Sequence, residues 1–129
     1  MYRSICMVIV VVALAALTVA PVWAAEPVVT KRVMTEDNGT AVLVVEVRAA
    51  DHALYGVNLV DESASVTDIV APKGWAGITS GDRVVFATVD TPVAAGERVV
   101  FRVITTNKSA PLGITFRDAK SLIHAKQTI

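Results

Sequence analysis

The sequence predicts an all-β domain, an antiparallel sandwich of about seven strands, standing behind an N-terminal export signal. Three observations predict it. Thr40 to Ala49 and Glu97 to Thr106 alternate apolar and polar side chains with the two-residue period of a strand packed on one face. Turn residues recur about every 8–12 positions between short runs rich in β-branched residues. After residue 24 no segment keeps a 3.6-residue apolar period over a dozen positions, so helices are not expected.

The leader comes first. Met1-Tyr2-Arg3 supplies a short positive start, Ile5 to Ala20 is apolar except for Thr18, and Pro21 breaks any helix. Val22-Trp23-Ala24 then offers small or β-branched residues where a signal peptidase inspects the chain. This is the order of a secretory signal over residues 1–24, with cleavage expected after Ala24. An uncleaved membrane anchor is the alternative, because a span needs about 20 apolar residues. Either way residues 25–129 are expected in the periplasm or outside the cell, as one domain.

The strands follow in order. Val28 to Thr35 leads into Asn38-Gly39, which tolerates positive φ at both centres of a type I′ turn and so predicts a hairpin with Thr40 to Ala49. In that second strand Leu43, Val45 and Val47 share one face, and Val42, Val44, Glu46 and Arg48 the other. Leu54 to Val60 is a third strand, and Val66 to Ala71 a fourth that stops at Pro72. Lys73-Gly74 and Ser80-Gly81-Asp82 read as turns. Arg83 to Val89 is the fifth strand. Glu97 to Thr106 is the sixth, with Val99, Phe101, Val103 and Thr105 opposed to Arg98, Val100, Arg102 and Ile104. Leu112 to Arg117 is the seventh, and Ser121 to Thr128 either continues it or folds back as an eighth. The expected core is Val33, Leu43, Val45, Val47, Leu59, Ile69, Trp75, Phe86, Phe101, Val103, Ile114 and Phe116.

Composition narrows the function classes. The 129 residues carry 12 basic and 12 acidic side chains, and 53% are hydrophobic. With Arg3 removed alongside the leader, the domain is left one negative charge from neutral. It has no basic cluster, which argues against nucleic acid as a partner. The only cysteine, Cys6, lies in the leader, so the domain has no disulfide framework, thiolate metal site or thiol nucleophile.

Two stretches then resemble a known group. Ala71-Pro72-Lys73-Gly74-Trp75 and Thr91-Pro92-Val93-Ala94-Ala95-Gly96-Glu97, the latter leading into an alternating strand, are similar to the corners of bacterial and archaeal immunoglobulin-like accessory modules. These include cell-adhesion-related and glycosidase-associated sandwich domains. The resemblance covers about 30 residues and implies an immunoglobulin-like β-sandwich. It implies no activity, since the fold hosts unrelated functions.

No catalytic residue, cofactor or metal site is expected. His52 and His124 are not spaced as a ligand pair, and a metal would need three or four converging groups. Glu36, Asp37, Asp61, Glu62 and Asp90 at strand ends are the calcium candidates, without a calcium-loop spacing. No serine sits in a nucleophile elbow. Asn38-Gly39-Thr40 and Asn107-Lys108-Ser109 match the glycosylation acceptor pattern. The more telling feature is an apolar stripe on the outer side of the sandwich. Val42 and Val44, with Val85 and Val89 of a strand expected alongside, would form an interaction surface for an unidentified protein partner or a second copy. The expected function is therefore an exported, non-enzymatic module of protein–protein interaction or envelope structure. One alternative is a small carbohydrate-binding module using Trp75 and Tyr55. Another is a periplasmic metal-binding protein using His52, His124 and nearby carboxylates.

Overall fold

The computed structural model describes Trp23 and residues 25–129. The expected leader, residues 1–24, lies outside the described residues except for Trp23. Among the described residues there are nine strands: β1 (Val28–Asp37), β2 (Thr40–Arg48), β3 (Gly56–Val60), β4 (Val66–Val70), β5 (Trp75–Ser80), β6 (Arg83–Thr88), β7 (Arg98–Thr105), β8 (Gly113–Arg117) and β9 (Ile123–Thr128). They form two sheets, β1-β2-β7-β4 and β5-β6-β3-β8-β9. Every pairing is antiparallel.

Four strands over five is the count of a variable-type immunoglobulin sandwich. The middle of the chain is wired differently. After β3 the chain visits the four-stranded sheet as β4, and only then lays β6 beside β3 with β5 on its far side. The structure has nine strands where about seven were expected. Ser121 to Thr128 does fold back, as β9. The strand missed outright is β5, whose sequence Trp-Ala-Gly-Ile-Thr-Ser has little apolar alternation. Its Gly77 answers a packing demand: a Cβ there would stand 2.7 Å from Ile69 Cδ1 and 2.9 Å from Phe86 Cδ1.

Local chemistry explains the turns. Asn38 (φ 51°) and Gly39 (φ 78°) take the paired positive angles of a type I′ hairpin, and Asp37 pairs with Thr40 across them. This turn fixes the β1–β2 register and sends Leu43, Val45 and Val47 inward together. Those three are buried with Leu59, Phe86, Phe101, Val103, Ile114 and Phe116, as the alternation predicts. Leu54, Val57, Val84, Val93, Val99 and Leu112 join them. Ile69 and Trp75 are half-buried against this core. Val33 is a correction: it is 43% exposed. It lies on the edge strand β1, beside a bulge between Val33 and Thr35, where the opposing sheet gives no cover.

Aromatic rings join the two sheets. Phe86 of β6 stacks on Phe101 of β7 with centroids 4.3 Å apart, and Trp75 meets Phe101 edge-on at 5.3 Å. Beyond this core sits one buried acid. Asp61, 1% exposed, ends β3 and accepts hydrogen bonds from the Ser65 N–H (2.7 Å), the Ser65 hydroxyl (2.9 Å), the Val66 N–H (3.1 Å) and the Ser63 hydroxyl (2.5 Å). Thr105 of β7 donates to the Ser65 oxygen, so the network ties the β3–β4 loop to the four-stranded sheet. Burial works to raise the Asp61 pKa, but the hydrogen bonds from Ser63, Ser65 and Val66 together outweigh it and hold it below 3.8.

Two outcomes follow for stability. Phe101→Ala should cost about 3–5 kcal/mol in denaturant unfolding, whereas Val33→Ala should stay within about 1 kcal/mol. The lowered Asp61 pKa means its contribution is complete above pH 3.8 and is lost as pH falls through the folded-state value. Asp61→Asn should therefore be less stable than the parent at neutral pH, by about 1–3 kcal/mol, with the gap closing in acid unfolding titrations below about pH 4.

Candidate functional site

The outer face of the four-stranded sheet is the leading surface. The β2–β7 register sets Val42 opposite Ile104, Val44 opposite Arg102 and Glu46 opposite Val100. The neighbouring strands add Arg32 of β1 beside Val44, and Val70 of β4 beside Arg102. Val70 and Val100 are openly exposed. Arg98 reaches Glu46 at 3.6 Å. The result is an apolar band crossed by arginines. Aliphatic stems beside a branched residue cover it while the guanidinium stays in water, and Val44 is only 4% exposed.

The stripe expected from Val42, Val44, Val85 and Val89 is thereby corrected. Val42 and Val44 lie on β2, while Val85 lies on β6 in the other sheet. Val89 follows β6, 74% exposed. The two pairs therefore belong to opposite layers. The cause is the wiring: β6 pairs with β3 and β5, never with β2. The partners that complete the β2 surface are Ile104, Val100 and Val70. Val100 and Ile104 already alternate outward in the Glu97 to Thr106 pattern, but pairing between distant strands is not written in either strand.

Trp75 and Tyr55 do not make one flat platform. Trp75 packs edge-on against Phe101, and its register partner is Thr88. The Thr88 N–H in turn donates to the Tyr55 carbonyl, so a strand separates the two aromatics. One side of Trp75 still lines an open groove of about 450 Å3 at the end of the sandwich, with Pro72, Lys73, Pro92, Glu97 and Arg98.

The histidines meet a different residue. The Trp23 indole stacks on His124 at 4.5 Å and on His52 at 5.1 Å, and lies 6.5 Å from Phe116. It is 6% exposed and part of the core. Each imidazole already has a carboxylate partner: His52 Nδ1 is 2.9 Å from Asp51, and His124 Nε2 is 2.8 Å from Asp118. The hydrogen bond from His124 holds the Asp118 pKa low against partial desolvation, helped by the Leu122 and Lys120 N–H groups. Among the described residues no three His, Cys, Asp or Glu side chains converge as a metal site. The metal-binding alternative on His52 and His124 loses its geometric basis. Asp61, a calcium candidate in the sequence, has its oxygens occupied by protein donors. Trp23 was missed because its apolar neighbours assign it to the leader.

If the indole closes this end of the core, Trp23→Ala should lower stability by about 3–5 kcal/mol, with a matching loss of Tm. His52→Ala, at a half-exposed ring, should cost about 1 kcal/mol or less, so the pair of variants separates the buried plug from its exposed cover.

No protein-family model matches the chain, and no curated protein matches it. Solved structures do match. An uncharacterized immunoglobulin-like protein from Nocardia farcinica superposes with TM-score 0.56 at 12% identity, covering 78% of this chain and 95% of that one. A DUF4466 family protein from Parabacteroides merdae gives TM-score 0.56 at 13% identity, over 84% of this chain and 44% of that one. A GH20 exo-β-N-acetylglucosaminidase from Vibrio harveyi gives TM-score 0.52 at 12% identity, over 81% of this chain. The chain spans only 17% of that enzyme's length. Identities this low speak to fold alone, and the chain is similar in fold to immunoglobulin-like β-sandwich modules.

Proposed function

We infer that the protein is an exported, non-enzymatic β-sandwich module that acts in the periplasm or outside the cell by protein contact. The observation that carries this reading is the outer face of the four-stranded sheet. A solvated sheet face is ordinarily polar, yet here Val42, Ile104, Val70 and Val100 share one with Arg32 and Arg102. Apolar area crossed by arginine is the composition of a protein interface. The fold likeness to the Nocardia farcinica protein, which covers 95% of that chain, is consistent with a free-standing module. Asp61, Asp118 and the two histidines are each engaged in local hydrogen bonds, which supports a binding role over bond making.

A second reading has its own observation. The Trp75 groove offers an aromatic edge beside two prolines and three charged side chains, a fit for a neutral sugar chain.

One experiment separates them. A photo-crosslinking residue placed at Val100 should capture a discrete protein partner in the cells that export this chain, and one at Ile78 on the other sheet should not. Arg102→Glu should reduce that capture by about tenfold or more, as expected for an interface arginine. Equal capture from both positions, or none, overturns the protein-contact reading. Neutral oligosaccharide binding lost on Lys73→Ala and Arg98→Ala would move the function to the groove.

A further inference from the structure

The outer face of the five-stranded sheet carries a second, independent site. Its rows are fixed by register: Arg83, Val60 and Gly113; Val85, Asn58 and Thr115; Ala87, Gly56 and Arg117, then Ile123. A bulge between Ile114 and Phe116 in the β8–β9 pairing brings Lys126 to the same side. A cleft of about 270 Å3 runs between these side chains. Arg83, Arg117 and Lys126 line it, no carboxylate does, and none of the three makes an ion pair among the described residues. Glu62 lines a neighbouring depression that Lys126 also borders.

Two buried polar atoms here have no partner: Asn58 Oδ1, an acceptor, and Arg117 Nε, a donor. Buried polar groups are paired in the great majority of cases, so each orphan asks for an explanation. The arginine is also held in place. A Cβ on Gly56 would stand 3.1 Å from Arg117 Cδ, so the arginine stem lies against the bare glycine backbone. A side chain at 56 would force the arginine stem to shift by a few tenths of an ångström.

We propose that this cleft binds a carboxylated sugar unit of an acidic polysaccharide. A carboxylate answers the unpaired Arg117 donor and the flanking Arg83 and Lys126 charges. A ring hydroxyl answers the Asn58 acceptor, which a phosphomonoester dianion or a sulfate has no proton to satisfy. Val60, Val85 and Ile123 offer apolar contact for the C–H edges of the ring. The volume sits just under the range of about 300–1,000 Å3 usual for small-molecule pockets, which suits one sugar ring of a chain. The site is on the opposite layer from the protein-contact face and does not depend on it.

The test is binding of the exported protein to a panel of uronic-acid polymers (polygalacturonate, alginate, hyaluronan), to methyl-esterified polygalacturonate, and to phosphatidylglycerol vesicles. At least one acidic polymer should bind, and for polygalacturonate the ester should bind about tenfold more weakly. Added salt should weaken binding. Arg83→Glu combined with Lys126→Glu, both at exposed positions, should weaken it by about tenfold or more with Tm unchanged. Arg117→Lys, which keeps charge and stem and removes the Nε donor, should weaken it severalfold. Failure of every acidic polymer to bind, equal binding of the ester, stronger binding to the vesicles, or indifference to the Arg83/Lys126 pair would each overturn the proposal. None of these outcomes bears on crosslinking at Val100, so the two readings fail separately.

Discussion

The contact between Phe86 and Phe101 is what makes two sheets into one domain. Each ring is fully buried, and each comes from a different layer, so their stack, with centroids 4.3 Å apart, bridges the two sheets. Packed sheets stand about 10 Å apart, a gap that needs large side chains from both sides to fill. Around this pair the β-branched residues of β2, β7 and β8 need only alternate to find the interior. Gly77 is an accommodation to the same rings, since its missing Cβ leaves room for the Phe86 edge. The network at Asp61 stabilises the crossing from β3 to β4, and thereby the one step in which the wiring leaves the immunoglobulin order.

Much of this was legible in the residues. The Asn38-Gly39 hairpin, the inward faces of β2 and β7 and nine of the twelve expected core residues follow from period and turn chemistry. What was not legible was neighbourhood. Alternation tells a strand which of its faces is oily. It does not tell it which distant strand will lie beside it, and so the valines of β2 and β6 were placed on one surface when they occupy two. β5 was hidden for a related reason. Its glycine is demanded by Ile69 and Phe86, partners that a linear reading of Trp75 to Ser80 cannot supply. Val33 failed as a core residue because alternation names a strand's inner face but not whether the other sheet reaches over it, and β1 stands at the edge.

The two outer faces have diverged in chemistry while sharing a scaffold. The four-stranded face mixes arginines with glutamate and apolar residues in a flat band. The five-stranded face has a recess among Asn58, Val60, Arg83, Val85, Arg117 and Lys126, and the Arg117 stem lies against Gly56 at its border. The same sandwich can thus offer a flat surface to one kind of partner and a shallow receptacle to another, with the shared core insulating one from the other.

Trp23 follows the apolar N-terminal run of the sequence, with its indole closing the His52 and His124 end of the core. A cut on its carboxyl side would export the fold without its stopper; a cut on its amino side would leave the stopper in place. On the export reading, the position of a single peptide-bond hydrolysis would then set how long the domain lasts, and not its address alone.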